Sequence, residues 1–133
     1  MADASAVSTN TLSYMVSFPM LGSRKAVILR RELPEFNRFT IEGVDVLMTH
    51  IGGKPGKYSK PAFEELDRQP PKLFICGHSH ILLVKMDPRY NMLWMNPGAC
   101  GIKGFHSVRT LLRFSITGDR IHDLEVIELG KRA

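Results

Sequence analysis

Two short apolar runs, each followed by a histidine and joined through one helix, constrain this chain more than any other feature. "VDVLMT", Val44 to Thr49, leads into His50, and "KLFIC", Lys72 to Cys76, leads through Gly77 into His78. Between them Ser59 precedes Pro61, a proline placed where the first turn of a helix tolerates it, and Pro70-Pro71 then forbids extension. The predicted helix, "PAFEELDRQ", puts Phe63 and Leu66 on one face. A strand, helix, strand order of this length is a crossover unit, and such connections are right-handed almost without exception. It lays the two strands parallel, with His50 and His78 both just past their carboxyl ends.

Short strands are predicted on either side of this unit. "RFTIEG" alternates apolar and polar positions and turns at Glu42-Gly43 into "VDVLMT" as a hairpin. "GGKPGKY", Gly52 to Tyr58, reads as loop from its Gly and Pro content. Downstream, "ILLVKM", "NMLWMN", "RTLLRFSI" and "IHDLEVIEL" are separated by turn signals and are expected to pair antiparallel. In the first thirty residues the readable strands are "LSYMVSF" and a stretch around "KAVIL". The fold class expected is α/β with mixed sheets.

At 133 residues the chain is about one domain long, and its 44% apolar and 23% charged residues match an ordinary globular mixture. No apolar run reaches the roughly 20 residues of a membrane helix, so no membrane span is expected. Asp3 stands where a secretory signal would carry Lys or Arg, which makes a cytoplasmic location the expectation. Cys76 and Cys100 are expected to stay reduced. The net charge of +5 comes from scattered Lys and Arg. Nucleic acid binding is therefore not indicated, though a positive surface would help draw in an anionic substrate.

The candidate site follows from "LFICGHSHILLV". In open α/β sheets ligands gather outside the carboxyl ends of parallel strands, where His50, His78 and His80 all fall. Neutral imidazole is a common ligand for Zn, Mn, Fe and Ni. Two imidazoles one residue apart on a turn can project to the same side, and Gly77 is expected to let the backbone turn sharply there. A surface turn that merely holds two histidines is the plainer alternative.

"MTHIGG", "ICGHSH" and "MNPGACGIKGFHSVRTLLRF" together resemble the last motifs of the calcineurin-like metallophosphoesterases, in particular their small prokaryotic phosphodiesterase branch. The likeness runs from about Arg30 to the C-terminus, so residues 30–133 are expected to form the C-terminal part of that family's αββα sandwich and residues 1–29 an atypical segment. The resemblance implies two divalent metals sharing a bridging hydroxide that attacks phosphorus. It also implies His50 and His78 on one metal, His80 on the other, and Asn96, Pro97 and Gly98 shaping the adjoining loop. Lys54, Tyr58 and His106 have the chemistry to face a phosphate.

The same family begins with Asp-x-His, Gly-Asp and Gly-Asn motifs, none of which stands ahead of His50 in this sequence. Three neutral imidazoles cannot offset two dications about 4 Å apart, whose repulsion is on the order of 16 kcal/mol even at an effective dielectric of 20. One ion (Mn, Ni, Zn or Fe) is therefore expected rather than two. Residues 1–29 substituting for one or two strands, a homo-oligomer and a separate partner are the alternatives for completing the sheet. The expected function is hydrolysis of small phosphate esters, phosphodiesters above all. The alternatives are a non-catalytic interaction module on the same fold and an inactive fragment. A structural zinc on Cys76, His78, His80 and Cys100 is disfavoured, because Cys76 should point into the core.

Overall fold

A computed structural model describes residues 2–6, 12–16 and 34–132, the first two stretches as backbone strands. The larger sheet comprises β3 (Phe36–Ile41), β4 (Val44–Thr49), β7 (Leu73–Ile75), β8 (Leu83–Asp87) and β9 (Met92–Asn96), in the order β3-β4-β7-β9-β8. The predicted hairpin is present: β3 runs antiparallel to β4 from Phe36↔Thr49 to Ile41↔Val44, and Glu42 makes the reversal at φ 51°. The crossover unit is present too. Strand β7 lies parallel to β4, with Leu47 opposite Phe74, and α1 (Lys60–Arg68) forms the connection.

The helix begins as its sequence dictates. Ser59 caps it by accepting the Ala62 N–H, and Pro61 sits in the first turn, where its missing N–H has no partner to lose. Its buried residues, however, are Ala62 and Leu66, while Phe63 is exposed. The small alanine lets the helix approach the sheet. Phe63 lies outside that contact, under the guanidinium of Arg89 at 5.0 Å.

Two further expectations are corrected. "GGKPGKY" is not plain loop, because β5 (Gly53–Lys54) and β6 (Lys57–Tyr58) pair as a minimal hairpin across Pro55-Gly56. Strand β9 pairs antiparallel with β8, as expected, but also parallel with β7. Its residues explain the interior position: Met92 and Trp94 are buried on one face and Met95 on the other, the pattern of a strand covered on both sides.

A second sheet has the order β1-β2-β10-β11, all antiparallel, from β1 (Ala2–Ala6), β2 (Leu12–Val16), β10 (Val108–Thr117) and β11 (Arg120–Lys131). Strand β2 falls within the predicted "LSYMVSF"; the stretch around "KAVIL" lies outside the described residues. Leu112, Phe114 and Ile116 of β10 pack against Val44, Val46, Met48, Leu73, Ile75 and Met95. The opposite face of the larger sheet packs Leu47, Phe74, Cys76, Met92 and Trp94 against Ala62 and Leu66 of α1. The described residues thus form two stacked sheets with one helix outside, and strands β4 and β7 carry their histidines to a common edge.

Candidate metal centre at the strand ends

Burial fixes where the two histidine-bearing strands stop. Thr49 is buried, and its hydroxyl donates to the Glu35 carbonyl at 2.9 Å, which anchors the end of β4. Beyond β7 the Cys76 N–H donates to Met95 O at 3.1 Å and the Gly77 N–H to His50 O at 3.0 Å. The second bond ties the two strand ends together directly beneath the histidines. Their rings meet as a result, with centroids 5.2 Å apart and planes 80° from parallel.

The turn that follows is strained. The Ser79 N–H donates to Gly77 O at 2.9 Å across His78, whose φ is 69°, a γ-turn with the rarer, positive φ. His80 is left-handed as well, at φ 59°. The sharp turn expected at Gly77 is thus made at the histidines themselves. Non-glycine residues in that region cost on the order of 1–3 kcal/mol each and persist where the surroundings enforce them.

Asn96 is what enforces them. Its amide, 1% exposed, donates to Gly77 O at 3.2 Å and to Ser79 Oγ at 3.0 Å, and its Oδ1 accepts the Gly98 N–H at 3.0 Å. One side chain thus holds the histidine turn and the loop after β9 against each other. Gly98 sits at φ 76°, where a Cβ would stand 2.4 Å from Thr110 Oγ1. That hydroxyl donates to Pro97 O at 2.9 Å, so the loop leaves no room for a side chain.

The remaining candidates divide. His106 approaches the turn, its Nε2 accepting the Leu82 N–H at 3.1 Å. Lys54 is exposed on β5. The Tyr58 hydroxyl instead donates to Asp87 at 2.5 Å, and its ring packs 6.1 Å from that of Phe74. Burial and the Asp87 carboxylate push the Tyr58 pKa up, so this phenol serves the helix-side core. Three residues that give no signal in the sequence also shape the site: Ser79, Thr110 and Arg132. The Arg132 guanidinium donates to the carbonyls of Ala99, Gly101, Lys103, His106 and Val108, clamping the loop that carries His106.

Among the described residues, no group of three or more His, Cys, Asp or Glu side chains is placed to hold a metal ion. His80 thus does not complete a ligand set with His50 and His78 in this conformation. Asn96 holds the intervening Ser79, and Ser79 Oγ accepts the Ile81 N–H at 3.3 Å, which sets the course of the chain through His80. The donor set fits part of one ion's shell, two imidazoles, and does not fit two ions, because no carboxylate among the described residues joins it.

Both cysteines are free thiols, and Cys76 is fully buried as expected. Loss of solvent pushes its pKa up to about 12 from a usual value of 9.0. The folded protein therefore keeps a proton that the unfolded chain releases. Stability should fall as pH rises from about 9 toward 12, by up to about 1.4 kcal/mol per pH unit. Denaturant titrations across that range check this, and a Cys76→Ala variant should lose that part of the slope.

Comparison with known proteins agrees with this architecture. The family model for the calcineurin-like phosphoesterase superfamily domain matches residues 6–119, and the chain belongs to that superfamily. No curated protein matches it significantly. Among solved structures, Vps29 of Entamoeba histolytica complexed with zinc is similar at 16% identity and a TM-score of 0.51, over 72% of this chain and 60% of that one. The Thermotoga maritima protein TM1076 is similar at 20% identity and a TM-score of 0.52, over 76% and 58%. A novel archaeal phosphodiesterase is similar at 17% identity and a TM-score of 0.50, over 70% and 51%. Likeness at these identities shows the fold, and the chain spans between half and two thirds of the length of these neighbours. No helix among the described residues is long and apolar enough to cross a membrane.

Proposed function

We propose that the chain is a metal-dependent phosphoesterase of the phosphodiesterase type, acting on small phosphate esters with one divalent ion (Mn, Ni, Zn or Fe) held by His50 and His78. The observation that carries this reading is the pair of edge-to-face imidazoles, 5.2 Å apart, at the carboxyl ends of adjacent parallel strands. Membership of the superfamily supports it. So does the strain at His78 and His80, since strained backbone gathers at sites where function requires a particular geometry.

An ion bound here would supply Lewis-acid polarisation of a phosphoryl oxygen and a lowered pKa for attacking water. The chain's own residues do the rest. His50 and His78 present neutral nitrogens from fixed strand ends, and Asn96 keeps the turn from relaxing. His80 stands two residues beyond His78 on the same held turn. Protein loaded with Mn, Ni or Zn should cleave a bis-aryl phosphate well above a His78→Ala control. Equal rates would remove the reading.

A second reading, a non-catalytic interaction module, is favoured by one observation: no carboxylate joins the histidines among the described residues. Metal content far below one ion per chain after purification without chelators would select it.

A further inference from the structure

The hairpin of β5 and β6 is built more firmly than its six residues require. At its root Gly53, at φ 79°, lies so close to Lys57 O that a Cβ would stand 2.4 Å away. The Ser59 N–H donates to Gly52 O at 3.0 Å and Cys76 Sγ to Gly53 O at 3.5 Å, which fastens the root to the end of β7 beside the histidine turn. Tyr58 pins the second strand through Asp87 and Phe74. At the tip, Pro55 followed by Gly56 at φ 82° has the composition and handedness of a type II turn.

This mount carries two lysines that no described residue balances. Lys54 pairs with Lys57 directly across the ladder, so both side chains leave the same face, at the spacing where like charges repel. Alternation along the strand puts that face opposite the one from which Tyr58 enters the helix-side core. Both residues are exposed, and neither ammonium forms an ion pair with a described residue. Three residues separate Lys54 from His50, at most about 14 Å between their Cα atoms over four extended steps, and a lysine side chain spans part of that gap.

We infer that the Gly53–Tyr58 hairpin is a second anion subsite, in which Lys54 and Lys57 together take a further phosphoryl group of a small polyphosphorylated ester whose scissile phosphate lies at His50 and His78. The inference rests on reading the histidine edge as a phosphate-ester site, and it names the substrate class: an ester with more than one phosphoryl group. Two ammonium groups held side by side lose their mutual repulsion when a doubly charged group sits between them. A phosphate monoester or simple diester bound at the histidines would leave this pair empty.

The test uses the full chain after chelator treatment, so that metal binding and hydrolysis do not enter. Orthophosphate, pyrophosphate and a short thymidine oligonucleotide are titrated separately while the Lys54, Gly56 and Lys57 amides are followed by NMR. Pyrophosphate should shift these amides and bind roughly fivefold tighter than orthophosphate, the range expected of two exposed ion pairs. Lys54→Gln with Lys57→Gln should abolish the preference, whereas Lys60→Gln with Lys103→Gln, which removes the same charge elsewhere, should leave it. Equal affinity for the two anions, or equal loss in both double variants, would overturn the subsite. Tighter binding of the oligonucleotide than of pyrophosphate would overturn the small-ester class. Failure of hydrolysis with loaded metal would instead strike the phosphoesterase reading and leave these affinities untouched.

Discussion

Replacing Phe74 by alanine should lower the unfolding free energy by about 3–5 kcal/mol, the cost typical of deleting a buried aromatic ring. Phe74 is fully buried on the middle strand of the larger sheet. It lies level with Leu47 on one side and Trp94 on the other, all three in the cluster beneath α1. Its ring also receives Tyr58, and its Cζ would stand 2.9 Å from a Cβ at Gly52. The cavity would therefore open between the helix, the hairpin root and the sheet, where none of the three can close it alone. Urea denaturation with an unchanged slope measures this, and a loss under about 1 kcal/mol would mean that the cluster collapses around the gap.

Asn96→Ala should cost about 2–4 kcal/mol and, unlike Phe74→Ala, should act on the site directly. Three hydrogen bonds disappear, and the buried Gly98 N–H loses its acceptor while Gly77 O keeps only the Ser79 N–H, a penalty larger than the mean worth of a hydrogen bond. Ser79 is released as well, and with it the strain at His78 and His80. The ring signals of those two histidines should shift and broaden in NMR spectra, while those of His122, on β11 and bonded to Thr117 and Asp123, stay in place. Asn96→Asp should not rescue the turn, because its carboxylate can accept from Gly98 but has nothing to donate to Gly77 O.

What the sequence revealed about the fold is what local chemistry controls. The hairpin into β4, the capped helix and the parallel crossover were legible because alternation, Ser59 and the prolines act within a few residues. Strand β1 was not, since "ADASA" has no large apolar residue to set a period. The second neighbour of β9 was also hidden, because pairing with β7 depends on what covers both faces of a strand. Around the site, position at the strand ends placed His50, His78 and His80 at one edge. The left-handed turn could not be read there, because glycine is the residue that signals positive φ and here it stands one place too early. Tyr58 misled for a different reason: its partner Asp87 lies 29 residues away, beyond the reach of any motif. The Arg132 clamp spans up to 33 residues and leaves no pattern at all.

The pairing of His50 with His78 as ligands is open to direct measurement. Protein purified without chelators, loaded with Ni or Zn and dialysed, should retain close to one equivalent of metal per chain by elemental analysis. His50→Ala and His78→Ala should each lose it, and Cys100→Ser should keep it. Retention of the same metal by both alanine variants, or none by the unaltered chain, would contradict the account.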